Sequence, residues 1–180
     1  MLTALIAALA LSQSATAAST AEAQVASVLD RLNQASSTAD EATYFSLFAP
    51  DARFVGTDAN EHWTMAQFRA FAEPWFKKDS AWSFPATSRT ITIAPIDCRC
   101  IAWFEEQLTH ESYGRTRGSG VMRLTEGGWK IEQYVLSLAV PNALASPIAR
   151  IITALEAADD RAAAGTIGRD AGSASAPPTP

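Results

Sequence analysis

Apolar residues recur with helical spacing in the part of the chain that follows residue 20. In the segment "STAEAQVASVLDRLNQASS" the apolar stripe is formed by Val25, Val28, Leu29 and Leu32, and this spacing predicts an amphipathic helix. A second, shorter helix is predicted over "STADEATYFSLF". A third is predicted over "TMAQFRAFAEPWFKK", because Thr64 and Gln67 have the spacing of a capping box.

From Trp82 onward the pattern changes from helical to extended. Four β-rich segments follow one another, "SAWSFPATSRTITIAP", "CRCIAWFEEQLTH", "YGRTRGSGVMRLT" and "GGWKIEQYVLSLAVP", and short polar turns join them, which predicts an antiparallel sheet. Helices followed by a meander indicate an α+β fold. Residues 143–164 are predicted to form a C-terminal helix, and the Gly, Ser and Pro content of residues 165–180 predicts a disordered tail.

Two glycines at alternate positions, Gly118 and Gly120, interrupt the third of these strands. Glycine weakens a strand, so two on one face require a reason. Joining this strand to the next one through "TEGG" places both glycines on the apolar face with Met122, and Gly120 opposite Gln133. Glycines there would leave a concavity for a ligand, or would accommodate a bulge or a ring packed flat over them.

The strand predicted over "CRCIAWFEEQLTH" is expected to pair, across the turn "HESY", with the strand that contains the two glycines. One register sets Trp103 near Gly120 and Glu105 near Gly118. A slip of one residue would substitute Phe104 and Glu106.

The N-terminal residues resemble an export signal. An apolar run from Leu2 to Leu11 precedes the small-residue pattern at residues 15–17, which predicts a signal peptide over residues 1–17 and a periplasmic or secreted protein. No Lys or Arg precedes the run, so a mispredicted start or an apolar N-terminal helix is the alternative. The run is too short for a stable membrane anchor.

Composition excludes several classes of function. A chain of 180 residues with a net charge of -5 and no basic stripe is expected to form one domain and not to bind nucleic acid. Cys98 and Cys100 are expected in an extended strand, where their side chains would be poorly placed to bridge each other. His62 and His110 do not flank them at a metal-binding spacing, so neither a metal nor any other cofactor is expected.

Four segments resemble the SnoaL-like branch of the nuclear transport factor 2-like superfamily, which includes ketosteroid isomerase and polyketide cyclases. They are "FAPDARFVGTDANEHW", "AWFEEQL", "YGRTRGSGVMR" and "GGWKIEQYVLSLAVPN", and the likeness covers residues 20–142. The resemblance implies a cone-shaped fold with the helices packed on a strongly curved sheet. It also implies a mainly apolar pocket and a homodimer formed through the outer face of the sheet.

The chain departs from ketosteroid isomerase at the general base. Counting from Asp51 brings Gly56 to the position of the isomerase's aspartate. The remaining candidate bases are Asp58, which would otherwise be a turn residue, His62, which would otherwise be exposed, and Glu105, which would otherwise pair with Arg115 or Arg117. Gln133 and Tyr44 are candidate donors to a developing oxyanion.

Three functions follow as hypotheses. The first is an exported protein that binds a small, largely apolar molecule. The second is a cofactor-independent isomerase, cyclase or dehydratase that uses Glu105 or Asp58. The third is a dimeric interaction module whose cavity is filled by its own side chains. The predicted ligand-binding residues are Trp63, Trp103, Gly118, Gly120, Met122 and Gln133.

Overall fold

Three helices open the domain in the computed structural model, which describes residues 20–171. Helix α1 spans Ala21–Ser37, α2 spans Glu41–Ser46 and α3 spans Met65–Phe76. Thr64 and Gln67 form the predicted capping box at the start of α3, which satisfies backbone N–H groups that have no partner within the helix. The predicted signal peptide lies outside the described residues.

A six-stranded sheet follows, and it is curled but not closed. Its strands are β1 Phe48–Val55, β2 His62–Thr64, β3 Ala86–Ile93, β4 Ile101–His110, β5 Gly114–Thr125 and β6 Gly128–Leu138. They lie side by side in the order β2-β1-β6-β5-β4-β3. The pairs β1/β2, β3/β4 and β4/β5 are antiparallel, whereas β1 runs parallel to β6. The predicted α+β class is confirmed, with one parallel pair in a sheet expected to be antiparallel.

The core fills the space between the helices and the inner face of the sheet. Helix α1 contacts β3, and α3 contacts β1 and β2. The fully buried apolar side chains come from both layers and include Val25, Leu29, Phe68, Met122 and Ile131. Burying these side chains supplies the main driving force for folding.

The first register proposed for β4 is wrong by one residue. Phe104 lies opposite Gly120 and Glu106 lies opposite Gly118, so Trp103 and Glu105 are on the outer face. The cause is the hairpin loop. His110 pairs with Gly114, which leaves three loop residues, and Gly114 takes a φ of 65°, a left-handed conformation that suits glycine in such loops.

The expectation that Cys98 and Cys100 do not bridge each other is also wrong. They form a disulfide with a Cα–Cα distance of 5.1 Å. Both residues lie in the connection between β3 and β4 rather than in a strand. Arg99 between them has a φ of 46°, and this left-handed turn brings the two side chains together, which an extended backbone would not.

A second compact unit begins at Leu138. Within it, helix α4 spans Asn142–Ala171 and therefore continues beyond the predicted end at residue 164. The remainder of the predicted tail, residues 172–180, lies outside the described residues. No helix in the described part of the chain is both long and apolar enough to cross a membrane.

Candidate functional site

A cavity of about 390 Å³ lies between the helices and the sheet. Its walls come from α1, α2, α3, β1, β2, β6, the last residue of β4 and three connecting loops. Half of the lining residues are Phe, Trp or Tyr, and they are Tyr44, Phe54, Trp63, Phe68, Phe71, Trp75, Trp82, Phe84, Tyr113 and Tyr134. A cavity of this size and composition suits a small apolar ligand.

The aromatic wall is a packed array rather than a loose collection of rings. Trp63, in the middle of β2, stacks on Phe71 with a ring centroid distance of 4.6 Å and on Phe68 at 5.6 Å. Phe68 is buried, whereas Phe71 and Trp75 are 46% and 42% exposed. These two α3 residues therefore lie where the cavity meets solvent.

Two phenols provide buried polar groups in the cavity wall. Burial raises the pKa of Tyr44 well above its ordinary value, and a hydrogen bond with Trp82 opposes the shift. The pKa of Tyr134 is also raised well above its ordinary value, mainly by burial and additionally by the charge of Glu106. Both phenols are therefore neutral at physiological pH and can donate a hydrogen bond.

A charged network behind the wall positions Tyr134. Its hydroxyl donates to Glu106 Oε2 at 3.4 Å, and Arg89 Nε donates to Glu106 Oε1 at 2.7 Å. Arg89 also pairs with Asp30 at 2.9 Å and donates to the backbone carbonyl of Ala26. Burial raises the pKa of Glu106, while pairing with Arg89 lowers it. Glu106 does not line the cavity, so it acts there only through Tyr134.

One carboxylate, that of Glu61, does line the cavity. Its Oε2 accepts a hydrogen bond from the backbone N–H of Asp58 at 3.1 Å. A Cβ placed on Gly56 would overlap this carboxylate. The space that a side chain at position 56 would enter is therefore occupied by the acid of Glu61.

A histidine from the β4–β5 hairpin also reaches the cavity. His110 stacks between Phe84 and Tyr113, with centroid distances of 4.5 and 4.8 Å. Its Nδ1 accepts from the backbone N–H groups of Ser112 and Tyr113. The neutral imidazole therefore carries its proton on Nε2 and can act as a donor.

The predicted catalytic acids do not lie in the cavity. Asp58 is exposed in the β1–β2 turn, where its carboxylate accepts from the N–H of Asn60 at 2.9 Å. Glu105 is exposed on the outer face opposite Ser119 and forms no ion pair with Arg115 or Arg117. His62 is exposed as well.

Among the predicted ligand-binding residues, only Trp63 lines the cavity. Trp103 is 46% exposed on the outer face, and Met122 is buried in the core. The side chain of Gln133 is exposed.

The two glycines accommodate neighbouring groups instead of opening a pocket. A Cβ on Gly118 would overlap the hydroxyl of Tyr134, and one on Gly120 would overlap the backbone carbonyl of Gln133 and crowd the Phe104 ring. At both positions, neighbouring groups occupy the space that a side chain would take.

Sequence reasoning missed Glu61 and His110 as cavity residues and did not assign Tyr134 a role. The one available signal for Glu61 was Gly56, because a missing side chain leaves room for a neighbour. His110 was considered only as a metal ligand. Within residues 20–171, no group of three or more His, Cys, Asp or Glu side chains is arranged to hold a metal ion.

Residues 25–141 match the family model of the SnoaL-like domain. This match covers more than half of the chain, so the protein belongs to the SnoaL-like domain family. A search of curated proteins finds no match.

Solved structures with the nuclear transport factor 2-like fold resemble this chain. A protein of unknown function from Pseudomonas putida is 16% identical over 68% of this chain and 89% of the other, with a TM-score of 0.55. A provisionally assigned dehydratase from Streptomyces avermitilis is 16% identical over 67% and 97%, with a TM-score of 0.54. A provisionally assigned ketosteroid isomerase from Parabacteroides distasonis is 17% identical over 65% and 86%, with a TM-score of 0.51. At these identities, the likenesses establish the fold.

Proposed function

We propose that the protein binds a small, largely apolar molecule in the aromatic cavity. The observation that carries this proposal is the cavity of about 390 Å³, which is walled by aromatic rings and opens beside Phe71 and Trp75. Rings supply large apolar contact area, and a few polar groups fix the orientation of a ligand. The hydroxyl of Tyr44, which accepts from Trp82, and the imidazole of His110 are suitable donors for this purpose, whereas the hydroxyl of Tyr134 already donates to Glu106.

A neutral fluorescent probe, N-phenyl-1-naphthylamine, tests this proposal. Ala81 lines the cavity, so Ala81→Trp would fill it and is expected to weaken probe binding by about tenfold or more, a loss of about 1.4 kcal/mol. Ala70→Trp is the matched control, because Ala70 is exposed on α3 and does not line the cavity. Equal binding by the two variants, or no binding by the wild type, would contradict the proposal.

A second candidate is cofactor-free proton transfer, as in an isomerase or a dehydratase. The observation that favours it is the carboxylate of Glu61 inside the cavity. Glu61 would act as the base, and Tyr44 would donate to the oxyanion. Turnover of a carbonyl compound that Glu61→Gln lowers about a hundredfold, with probe binding retained, would establish this function. The reading as a module with a filled cavity has less support, because Trp103 and Met122 do not close the cavity.

Export and dimerisation belong to the same proposal. The mature chain would begin after residue 17, and two copies would associate through the outer face of the sheet. Support for the second point comes from Trp103, which is 46% exposed there and lies opposite the half-buried Val121. Large aromatic side chains on a surface are typical of protein interfaces.

A further inference from the structure

The charge in the cavity is unbalanced. Glu61 is the only charged side chain among its lining residues, which include no Lys or Arg. Within the described part of the chain, Glu61 forms no ion pair, and the single hydrogen bond to its carboxylate comes from the N–H of Asp58. The carboxylate is half-buried and is held at the wall directly over Gly56.

This carboxylate conflicts with a ligand that is apolar throughout. A molecule that fills the cavity removes water from Glu61, and an unpaired carboxylate that loses its water is strongly destabilised. A ligand with a positive group would replace the lost water by a charge-assisted contact. An anionic ligand would instead be repelled, because no cation lines the cavity to receive it.

The aromatic wall of the cavity also favours a positively charged ligand. The faces of aromatic rings are electrostatically negative and attract ammonium groups. At the mouth of the cavity, the ring of Trp75 already contacts an ammonium group of the protein, because Lys78 Nζ lies 3.9 Å from its ring centroid. Within residues 20–171, no Lys or Arg lies over the rings of Trp63 and Trp82, and both rings line the same cavity as Glu61.

We propose that the ligand carries a single positive charge, an alkylammonium or quaternary ammonium group on a largely apolar body, with Glu61 as its counter-ion. This inference rests on the proposed function, because it names the class of small molecule that the cavity accepts. The aromatic rings contact the apolar body and the ammonium methyl groups. Glu61 balances the charge.

Two isosteric probes test the inference. Benzyltrimethylammonium and neopentylbenzene have the same shape and differ in charge, and displacement of N-phenyl-1-naphthylamine reports the binding of each. Wild-type protein is expected to bind the cation about tenfold more tightly than the neutral isostere. Glu61→Gln should abolish this preference by weakening the binding of the cation, while it should bind neopentylbenzene at least as tightly as the wild type, because no carboxylate then loses its water. Glu126→Gln is the control, because Glu126 is exposed and does not line the cavity, and it should keep the preference.

A second variant tests the inference even if Glu61→Gln does not fold. Thr57 also lines the cavity, and Thr57→Lys would supply an internal cation that competes with the ligand's charge. It should lower the affinity for the ammonium probe and spare the neutral one. If the wild type bound neopentylbenzene as tightly as the cation or more tightly, the inference would be overturned and the proposed function would stand. The same holds if the wild type bound N-phenyl-1-naphthylamine but neither isostere displaced it. No binding of any of the three compounds would overturn both.

Discussion

Two adjacent glutamates on β4 meet opposite environments because strand side chains alternate between faces. The side chain of Glu106 is 1% exposed and pairs with Arg89 at 2.7 Å, whereas Glu105 lies in solvent. The segment "AWFEEQL" places two aromatic residues and then two acids side by side. Either register would therefore put one ring and one acid inside, so composition could not decide between them. The length of the hairpin loop decided the register.

Removal of Arg89 tests the importance of the buried pair. Arg89→Met would leave the Glu106 carboxylate buried without its partner. We expect a loss of about 3–5 kcal/mol in the free energy of unfolding, because an uncompensated buried charge is strongly destabilising. Urea denaturation measures this loss.

The exposed pair Arg123–Glu132 is the matched control. Its atoms are as close, at 2.6 Å, but the arginine side chain is 48% exposed. Arg123→Met should therefore lower the free energy of unfolding by less than about 1 kcal/mol. Similar losses for the two arginine variants would show that burial does not set the strength of the Arg89 pair.

At the scale of elements, local signals identified α1, α3 and the strands from β3 to β6. The capping box fixed the start of α3. The parallel pairing of β1 with β6 could not be predicted, because it joins residues far apart in the chain and no local pattern encodes it. The cysteine turn was missed for a different reason, since Arg99 adopts a left-handed conformation that non-glycine residues rarely take.

The close approach of β6 to β5 depends on the two glycines. Gly120→Ala would force a methyl group against the backbone carbonyl of Gln133, so the strands would have to move. Overpacking of this kind should destabilise the protein by about 1–3 kcal/mol in urea denaturation. Gly118→Ala should cost a similar amount, because its methyl group meets the hydroxyl of Tyr134.

Two further variants make the glycine prediction specific. Gly127→Ala is the control, since its methyl group would make only an ordinary contact with Thr125 at 3.8 Å, and it should change stability by no more than about 0.5 kcal/mol. Tyr134→Phe removes the hydroxyl that Gly118→Ala meets, so the double variant should lose less than the sum of the two single ones. Strict additivity would contradict close packing at this position.

At the scale of the whole molecule, the cavity depends on side chains spread from Leu32 to Leu136. The sequence predicted the fold, an apolar pocket and two of its residues, Trp63 and Tyr44. It could not predict that Glu61, His110 and Tyr134 meet there, because they lie on three separate parts of the chain. The family resemblance implied the fold. It gave no information on the placement of Glu61 over Gly56, which the structure shows.

The most direct test of a ligand-binding cavity is native mass spectrometry of the protein purified from the cells that produce it. The account predicts a bound small molecule at one per subunit, released by mild denaturation and absent from Ala81→Trp. Its mass would also identify the ligand class and show whether it carries the proposed positive charge. An empty protein that also fails to take up N-phenyl-1-naphthylamine would contradict the central claim that this cavity binds a small, largely apolar molecule.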